Sequence, residues 1–429
     1  MKNIQKITVA LISIAFFASC GTRETGQLIG VQNRPGWKPI NPYGMVYIPS
    51  GTLHIGPSDQ DINATLVQRS KSISIQGFFM DDTEITNNEY RQFVDWVRDS
   101  IAHTKLDHFT ESDNGQKYID WEQEIDFNDS ESSIEEMYYK DNERFAGRRE
   151  IDTRKFVYNY EWYDWKKAAN NFYWKNTEKN DRLNYIHRES VPIYPDTLVW
   201  IRDFSYSYNE PMTRNYFWHP AFDDYPVVGI AWKQANAFCY WRTKLWNSIR
   251  GLEGEVNTED FRLPTEHEWE YAARGGHDNA PYPWGGMYTR NGKGCLLANF
   301  KPGRGNYPDD GGLYTVRADA YFPNDYGLYN MAGNVAEWTF SAYYENAYAF
   351  IHDLNPDIRY DAKDDNPKTG ETGDPRTHKR KVIRGGSWKD IAFFIQTGTR
   401  HWEYQDTVKS YIGFRCALTF LGRSMNDFR

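Results

Sequence analysis

Residues 262–276 read Arg-Leu-Pro-Thr-Glu-His-Glu-Trp-Glu-Tyr-Ala-Ala-Arg-Gly-Gly, and this stretch encodes both ends of a helix. Thr265 and Glu268 have the spacing of a capping box, in which the hydroxyl accepts from the amide at 268 and the carboxylate accepts from the amide at 265. Trp269 and Tyr271 supply apolar side chains, and Gly275 can end the helix in the left-handed conformation. The stretch therefore predicts a short helix from Thr265 to Gly275.

Two longer helices are predicted upstream of this stretch. Thr86 and Glu89 form a second capping box. The apolar residues after it recur at helical spacing: Tyr90, Phe93, Val94, Val97 and Ile101. A similar spacing between Ala235 and Ile249 predicts another helix, which Gly251 can end. Short strands are expected at 45–48, 72–75 and 382–384.

The composition is that of a globular protein rich in aromatic residues. The 429 residues include 24 Phe, 16 Trp and 31 Tyr, and with 32 Gly and 19 Pro few long helices are expected. Collagen, coiled coil, a polytopic membrane protein and wholesale disorder are excluded. Because Tyr and Trp carry polar tips, a core built on them must combine rings with hydrogen bonds. The net charge of −9 argues against a nucleic-acid partner, which needs a basic surface.

The first residues have the pattern of a bacterial export signal. Lys2 and Lys6 precede an apolar run at 7–18 that is too short to span a bilayer. Small residues at 18 and 19 before Cys20 match a lipobox, so we predict a signal peptide at 1–19 and lipidation of Cys20. An ordinary signal peptide with an incidental Cys20 is the alternative. Residues 20–42 are then a tether to a lipid anchor.

Residues from about 104 to 218 break the earlier pattern and are predicted to be an insertion. Between Asp120 and Glu136 there are eight acidic residues and no Lys or Arg. This favours either a solvated loop or a docking surface for a basic partner, and we expect its deletion to leave the fold intact. Aromatic residues crowd a later stretch: Tyr158, Tyr160, Trp162, Tyr163, Trp165, Phe172, Tyr173 and Trp174. They indicate either an interface or a satellite core within the insertion.

Three cysteines remain beyond residue 20, namely Cys239, Cys295 and Cys416. An exported chain permits one disulfide and one leftover thiol among them, and the residues alone leave the pairing open. No CxxC or HExxH motif occurs and the ten histidines are scattered, so a zinc site has little support.

Seven stretches, in a fixed order, carry a resemblance to a known family. They are Gly44-Met-Val-Tyr-Ile-Pro-Ser-Gly51, Met80-Asp-Asp-Thr-Glu-Ile-Thr-Asn87, Tyr225-Pro-Val-Val-Gly-Ile-Ala-Trp232, residues 262–276, Tyr326-Gly-Leu-Tyr-Asn-Met-Ala-Gly-Asn-Val-Ala-Glu-Trp338, Arg384-Gly-Gly-Ser-Trp388 and Gly413-Phe-Arg-Cys416. Together they resemble the formylglycine-generating enzyme family, also called the sulfatase-modifying-factor family. The resemblance covers residues 43–420 and implies an α+β fold with sparse secondary structure, interrupted by the insertion. Residues 421–429 would form a tail.

Active members of that family are oxidases that convert a sulfatase cysteine to formylglycine, using two cysteines that hold copper(I). The resemblance puts those cysteines at positions 390 and 395, where this chain has Asp390 and Ile395. Copper(I) selects soft thiolate ligands, and neither side chain is one. The resemblance therefore implies a pseudoenzyme without copper and without catalytic residues.

The resemblance also implies a disulfide between Cys239 and Cys416. Such a bridge would close a long loop and stabilise the fold by roughly 4–5 kcal/mol in the chain-entropy model. Cys295 is then expected to be a buried free thiol.

Two calcium sites are implied by the same resemblance. The first set is Asn330, Gly333, Val335 and Glu337, and the second is Asn299, Phe300, Asp310 and Gly312. Both combine side-chain and backbone oxygens, the hard ligands that calcium prefers. Gly312 stands where the family often has an aromatic residue. The alternative is a pair of tight turns held by Asn and Asp side chains.

A narrower resemblance concerns the start of the mature chain, Cys20-Gly-Thr-Arg, Gly26-Gln-Leu-Ile-Gly-Val31 and Asn41-Pro-Tyr-Gly-Met45. With the helix at 84–96 and the aromatic insertion, it is similar to gliding-motility lipoproteins of the Bacteroidota type IX secretion system. This implies an outer-membrane lipoprotein on the periplasmic face that self-associates into a ring with a GldN/PorN-type partner. A sibling subgroup on the same scaffold stays an alternative.

Three functions are compatible with these residues. The first is a non-catalytic structural subunit, favoured by Asp390 and Ile395, the lipid anchor and the insertion. The second is a working copper-dependent oxidase. The third is a peptide- or glycan-binding module on the same scaffold, which the aromatic content supports weakly.

Overall fold

A computed structural model describes residues 40–56, 70–111, 115, 117–129, 133–169, 182–206, 212–303, 306–364 and 372–421. The distribution of contacts along the chain divides it into two units, residues 1–39 and residues 40–429. The signal peptide, Cys20 and most of the tether lie outside the described residues, as do Phe172, Tyr173, Trp174 and the tail after residue 421. Within the described ranges, no helix is both long and apolar enough to cross a membrane.

The described ranges contain six α-helices, three that the sequence predicts and three short ones that it does not. They are α1 (Asn87–Lys105), α2 (Trp165–Ala168), α3 (Val199–Asp203), α4 (Met212–Asn215), α5 (Trp232–Leu252) and α6 (Glu266–Arg274). Both capping boxes form, at Thr86 and at Thr265, and Gly275 ends α6 in the left-handed conformation. The predicted end of α5 is wrong: Gly251 lies within its last turn, and the left-handed glycine is Gly254.

The strands form several small sheets. They are β1 (Met45–Ile48), β2 (Gly51–Ile55), β3 (Lys71–Ile75), β4 (Phe78–Asp81), β5 (Phe109–Glu111), β6 (Lys117–Ile119), β7 (Val157–Tyr163), β8 (Ile186–Pro192), β9 (Ala336–Ala342), β10 (Arg380–Arg384), β11 (His401–Tyr404), β12 (Ile412–Gly413) and β13 (Ala417–Thr419). One sheet has the order β1-β4-β13 and another the order β11-β10-β9-β12, in which β12 runs parallel to β9. The pairs β2-β3, β5-β6 and β7-β8 are antiparallel hairpins. The mixed α and β content confirms the predicted fold class.

The core combines aromatic rings with hydrogen bonds, as the composition predicts. Tyr90 on α1 stacks on Phe238 of α5 with centroids 5.7 Å apart, and its hydroxyl donates to the carbonyl of Ile193 (2.8 Å). The indole of Trp338 donates to the carbonyl of Ile230 (2.9 Å). Rings therefore fill the interior while these polar tips are paired.

The hairpin of β7 and β8 in the insertion packs into the main core of the protein. Tyr158 of β7 meets Phe93 of α1 edge to face at 5.3 Å, and Tyr160 stacks on Tyr240 of α5 at 4.6 Å. The reason is register: alternate residues of β7 point toward the two long helices.

The acidic stretch is also anchored to the body. Ile134 within the stretch and Met137 just after it are buried in the main core, which argues against the expectation that residues 120–136 can be deleted without loss of the fold. Glu135 pairs with Arg144 (2.7 Å), and Glu136 pairs with Lys105 (2.6 Å). These contacts neutralise part of the stretch within the chain.

Candidate functional site

Glu337 of the first predicted calcium set forms a fully buried ion pair with Arg415, which lies in the segment after β12. Glu337 lies on β9, and both of its carboxylate oxygens accept from Arg415, each at 2.7 Å. The indole of Trp269 on α6 donates a third hydrogen bond to Glu337 (2.7 Å). Arg415 also donates to the carbonyls of Asp81, Asp82 and Tyr329. The pair thus joins four separate parts of the chain: residues 81–82, Trp269, residues 329–337 and Arg415.

A second buried carboxylate, Glu84, lies beside this pair. It accepts from the side-chain amides of Asn330 (3.1 Å) and Asn334 (3.0 Å). Burial raises the pKa of Glu84 to about 8; the charge of Arg415 opposes this shift, and that of Glu337 adds to it. Glu84 therefore holds a proton more strongly than an ordinary glutamate does. Neither Glu84 nor Arg415 is among the site residues predicted from the sequence, although both lie within the motifs that carry the family resemblance.

The first predicted calcium set lies in the turns that lead into β9. Asn330 has a φ of 51° and Gly333 a φ of 80°. The Asn330 amide also donates to the carbonyl of Ala318 (2.8 Å). Because Glu337 gives both oxygens to Arg415, its charge is already compensated. As arranged, this set does not fit a cation.

The second predicted set fits a hard cation better. The carboxylate of Asp310 accepts from the amides of Phe300 (2.8 Å) and Gly312 (3.0 Å). Burial, reinforced by the charge of Asp309, raises the pKa of Asp310. Position 312 is tight, since a Cβ there would lie 2.5 Å from Val316 and 3.2 Å from the Oδ1 of Asn299. The set therefore places a half-buried carboxylate next to the side-chain amide of Asn299.

Asp390 and Ile395 follow the glycine turn at 384–388, at the two positions where the family resemblance expects cysteine. The carboxylate of Asp390 accepts from the hydroxyl of Ser387 (2.6 Å), and its backbone amide donates to the carbonyl of Ser387. Ile395 is fully buried in a cluster of apolar residues: Tyr282, Leu296, Ala298, Phe300 and Ala332. One position thus holds a hydrogen-bonded carboxylate and the other a packed alkyl group.

Aromatic residues of the insertion cover Trp388 in the same turn. Trp200 on α3 stacks on Trp388 at 6.1 Å, and Phe204 stacks on it at 5.7 Å. Tyr314 meets Trp388 edge to face at 5.4 Å. The insertion therefore packs directly on the turn that follows β10. The buried indole nitrogens of Trp200 and Trp388 have no hydrogen-bond partner within the described part of the chain.

The cysteines lie in two different environments. Cys239 on α5 and Cys416 are buried free thiols, with sulfurs 3.5 Å apart. A disulfide needs about 2.05 Å, so the two are neighbours in thiol form, and their oxidation stays a prediction. Burial raises the pKa of the Cys416 thiol, and contact with Cys239 adds to the rise. Cys295 is exposed, so its expected burial is wrong; it lies on a surface turn at 291–295.

A buried charge network, also missed from the sequence, holds the glycine turn to α6. Arg384 donates to Glu270 (2.9 Å), and Arg400 donates to Glu266 (2.9 Å). Burial, the largest single effect, would raise the pKa of Glu266, but the charges of Arg400, His267 and Arg384 together outweigh it and lower the pKa to about 2. Within the described ranges, no group of three or more His, Cys, Asp or Glu residues is arranged to hold a metal ion.

Comparison with known proteins assigns the chain to a family. A model of the sulfatase-modifying factor enzyme 1-like domain matches residues 33–420. Formylglycine-generating enzyme of Bos taurus is 28% identical over 394 residues, which cover 90% of this chain and 78% of that protein. Inactive C-alpha-formylglycine-generating enzyme 2 of Mus musculus is 33% identical over 211 residues, which cover 47% of this chain and 51% of that protein. Among solved structures, PvdO from Pseudomonas aeruginosa covers 90% of this chain and 99% of its own, with a TM-score of 0.45 and 15% identity.

The chain belongs to the sulfatase-modifying factor family, because the family model matches most of its length. The fold of few helices and many small sheets is that of this family. Its relatives include proteins named as formylglycine-generating enzymes and proteins named as inactive.

Proposed function

We propose that this protein is a non-catalytic member of the family, a scaffold without the oxidase chemistry. The observation that carries the proposal is the pair of side chains after the glycine turn. Asp390 is bound to Ser387, and Ile395 is buried among apolar residues. Copper(I) needs soft sulfur ligands, and neither a carboxylate nor an alkyl group can replace a thiolate.

The aromatic cover over Trp388 supports the same proposal. Trp200 and Phe204 occupy one face of the glycine turn, where they stack on Trp388. A substrate segment approaching that face would have to displace two stacked rings from the buried cluster, which costs roughly 1 kcal/mol or more for each aromatic pair in addition to lost burial.

The experiment is a copper(I) titration of the purified protein against a competing chelator, with oxygen consumption and formylglycine formation as second readouts. The matched control is the double variant Asp390→Cys/Ile395→Cys, which restores a thiol pair, in a Cys295→Ser background that removes the exposed thiol. The proposal expects stoichiometric copper only in the double variant. Tight copper binding and formylglycine formation by the unmodified chain would establish an oxidase instead.

A finer proposal concerns the assembly in which the scaffold works. We propose a GldK (PorK)-type structural lipoprotein of the type IX secretion system, with GldJ-type siblings as the alternative. It would be anchored to the periplasmic face of the outer membrane through Cys20. It would also form a ring with a GldN/PorN-type partner, supporting protein secretion and gliding motility. The support is the pattern of residues 20–45 and the aromatic insertion.

The insertion offers one surface suited to such a partner. Trp165 on α2 is 75% exposed, next to Tyr163 at a centroid distance of 4.5 Å. Trp and Tyr are enriched among residues that dominate binding energy at interfaces. Trp162, in contrast, stacks on His187 (4.4 Å) and so is tied to the hairpin itself.

The finer proposal is tested by mild-detergent purification of the tagged protein, with mass spectrometry of what accompanies it and electron microscopy of its shape. Cys20→Ala should release the protein from the outer-membrane fraction. Retention of this variant on the membrane in high salt would contradict the lipid anchor. Recovery as a monomer without a constant companion would contradict the ring while leaving the pseudoenzyme proposal untouched.

We also propose that calcium is held at the set of Asn299, Phe300, Asp310 and Gly312, where its role would be structural. The half-buried carboxylate of Asp310 would supply the charge, and carbonyl and amide oxygens of the other members of the set would supply the remaining hard ligands.

A further inference from the structure

Two histidines meet at the C-terminal end of α1, away from every residue discussed above as a site. His103 is in the last turn of the helix and is 3% exposed. His108 follows after a turn in which Asp107 has a φ of 58°. The amide of His108 donates to the carbonyl of His103 (3.0 Å), which fixes the turn. The Nδ1 atoms of the two imidazoles are 3.1 Å apart.

That separation suits two ligands of one metal ion. Imidazole nitrogens bind Zn²⁺ at about 2.0–2.1 Å, so two of them at a tetrahedral angle lie about 3.3 Å apart. Without a metal, one Nδ1 can donate a hydrogen bond to the other, and this contact would hold the two rings ready in nearly the same place. The two rings therefore need to move little when a metal ion replaces the proton that their Nδ1 atoms share.

The charges around the pair favour a cation. Burial and the neighbouring His108 lower the pKa of His103, whereas the negative charges of Asp99, on α1, and Asp120, after β6, act in the opposite direction. Asp120 is held close, because its amide donates to the carbonyl of His108 (3.0 Å). The acidic side chains that follow, Glu122, Glu124 and Asp126, are exposed. Such a one-sided field raises the local concentration of cations.

We propose that His103 and His108 bind one divalent transition-metal ion, of the class of Zn²⁺, Ni²⁺ and Cu²⁺, through their Nδ1 atoms. Water would complete the coordination, since the protein supplies two ligands. Imidazole suits these ions, whereas Ca²⁺ and Mg²⁺ prefer oxygen. The bound ion would tie the end of α1 to the β5–β6 hairpin, with which the insertion begins.

The neighbouring Trp121 provides a direct readout. Its ring lies 5.3 Å from that of His103, and Trp96 lies 5.5 Å from Trp121. Cu²⁺ bound at the histidine pair should therefore quench part of the tryptophan fluorescence. The electron paramagnetic resonance spectrum of the bound Cu²⁺ should show coupling to two nitrogens.

The test is a titration of tag-free full-length protein in a Cys295→Ser background with Zn²⁺, Ni²⁺, Cu²⁺ and Ca²⁺, followed by calorimetry and fluorescence. We expect one equivalent of each transition metal and no Ca²⁺ at this site. His108→Ala, at a half-buried position, should weaken binding at least tenfold, and His103→Gln should do the same. His352→Ala, an exposed histidine elsewhere, should leave it unchanged.

Three outcomes would overturn the proposal: no transition-metal binding by the parent protein, unchanged binding in His108→Ala, or a spectrum with fewer than two coordinating nitrogens. The spectrum is recorded on the parent protein, so the decision does not depend on whether His103→Gln folds. Circular dichroism of His108→Ala separates loss of the ligand from loss of α1.

Discussion

Arg415, in the segment between β12 and β13, and Glu337 on β9 form a two-point ion pair that is completely buried. The guanidinium reaches both carboxylate oxygens at 2.7 Å, and its remaining N–H groups donate to three backbone carbonyls. A buried pair of this kind is not a strong net source of stability, but removal of one partner leaves an uncompensated charge. The pair therefore fixes how its neighbours pack.

Glu337→Gln or Arg415→Leu should lower the free energy of unfolding by about 3–5 kcal/mol, because either change breaks a buried pair from one side. Denaturation in urea, followed by tryptophan fluorescence, measures the loss. The control is Arg188→Ala, which removes an exposed pair with Glu161 and should change stability by less than about 1 kcal/mol. If Arg415→Leu lowers the free energy of unfolding no more than Arg188→Ala does, the buried pair does not determine how its neighbours pack.

Glu84 should make the protein less stable as the pH rises. Its folded pKa of about 8 lies above the ordinary value of 4.5. Across that window the folded state keeps a proton that the unfolded chain releases, so the free energy of unfolding falls with rising pH. Glu84→Gln should flatten this dependence between pH 5 and 8, measured by denaturation at each pH. Glu122→Gln, at an exposed position, is the control and should not change how the free energy of unfolding depends on pH. If Glu84→Gln does not change this dependence either, a group other than Glu84 is responsible for it.

Removal of calcium should lower the melting temperature, because a ligand that binds only the folded state stabilises it by mass action. Asp310→Asn should abolish the response to chelator. Asp309→Asn, which changes the adjacent residue that pairs with Arg290, should keep it. If saturating chelator does not change the melting temperature, the segment from Asn299 to Gly312 does not bind calcium and is held by hydrogen bonds alone.

The buried thiols should differ sharply from Cys295 in their reactivity. In the reduced folded protein, a thiol reagent should label Cys295 quickly and Cys239 and Cys416 only on unfolding, because burial raises the pKa of the Cys416 thiol. Material exported through an oxidising compartment should have the Cys239–Cys416 bridge, which peptide mapping detects. In the chain-entropy model, that bridge raises the free energy of unfolding by roughly 5 kcal/mol. Rapid labelling of all three thiols after export would contradict the bridge.

Trp165→Ala should weaken recovery of the partner by at least tenfold while the melting temperature stays within about 1 °C, since an exposed side chain contributes little to folding. Trp162→Ala is the matched contrast: it removes the stack on His187, so it should lower stability as well. Partner recovery that is unaffected by Trp165→Ala would place the docking surface outside α2.

The sequence predicts the helices well where local signals agree. Thr86 and Thr265 each cap a helix as expected, because a capping box involves residues only three positions apart. The end of α5 is less predictable, since a glycine within a helix and a glycine after it look alike in sequence.

Local sequence patterns do not predict contacts between charged or polar side chains that are far apart in the chain. Glu84 and Asn334 are 250 positions apart in the chain, and Arg415 and Glu337 are 78 apart. Their contacts arise only once the sheets assemble. The surroundings of Ile395 and the exposure of Cys295 depend in the same way on the packing of loops, which local periodicity does not encode.

The stacking of Trp200 and Phe204 on Trp388 has a practical consequence for truncation. These rings enter from the last part of the insertion, and Tyr158 and Tyr160 enter from its middle. Deletion of residues 104–218 as a block would remove aromatic side chains that pack on the rest of the domain. The apolar surface exposed in this way would favour aggregation. A minimal excision that removes a binding epitope must therefore stay at the hairpin tip, between β7 and β8, and preserve both strands.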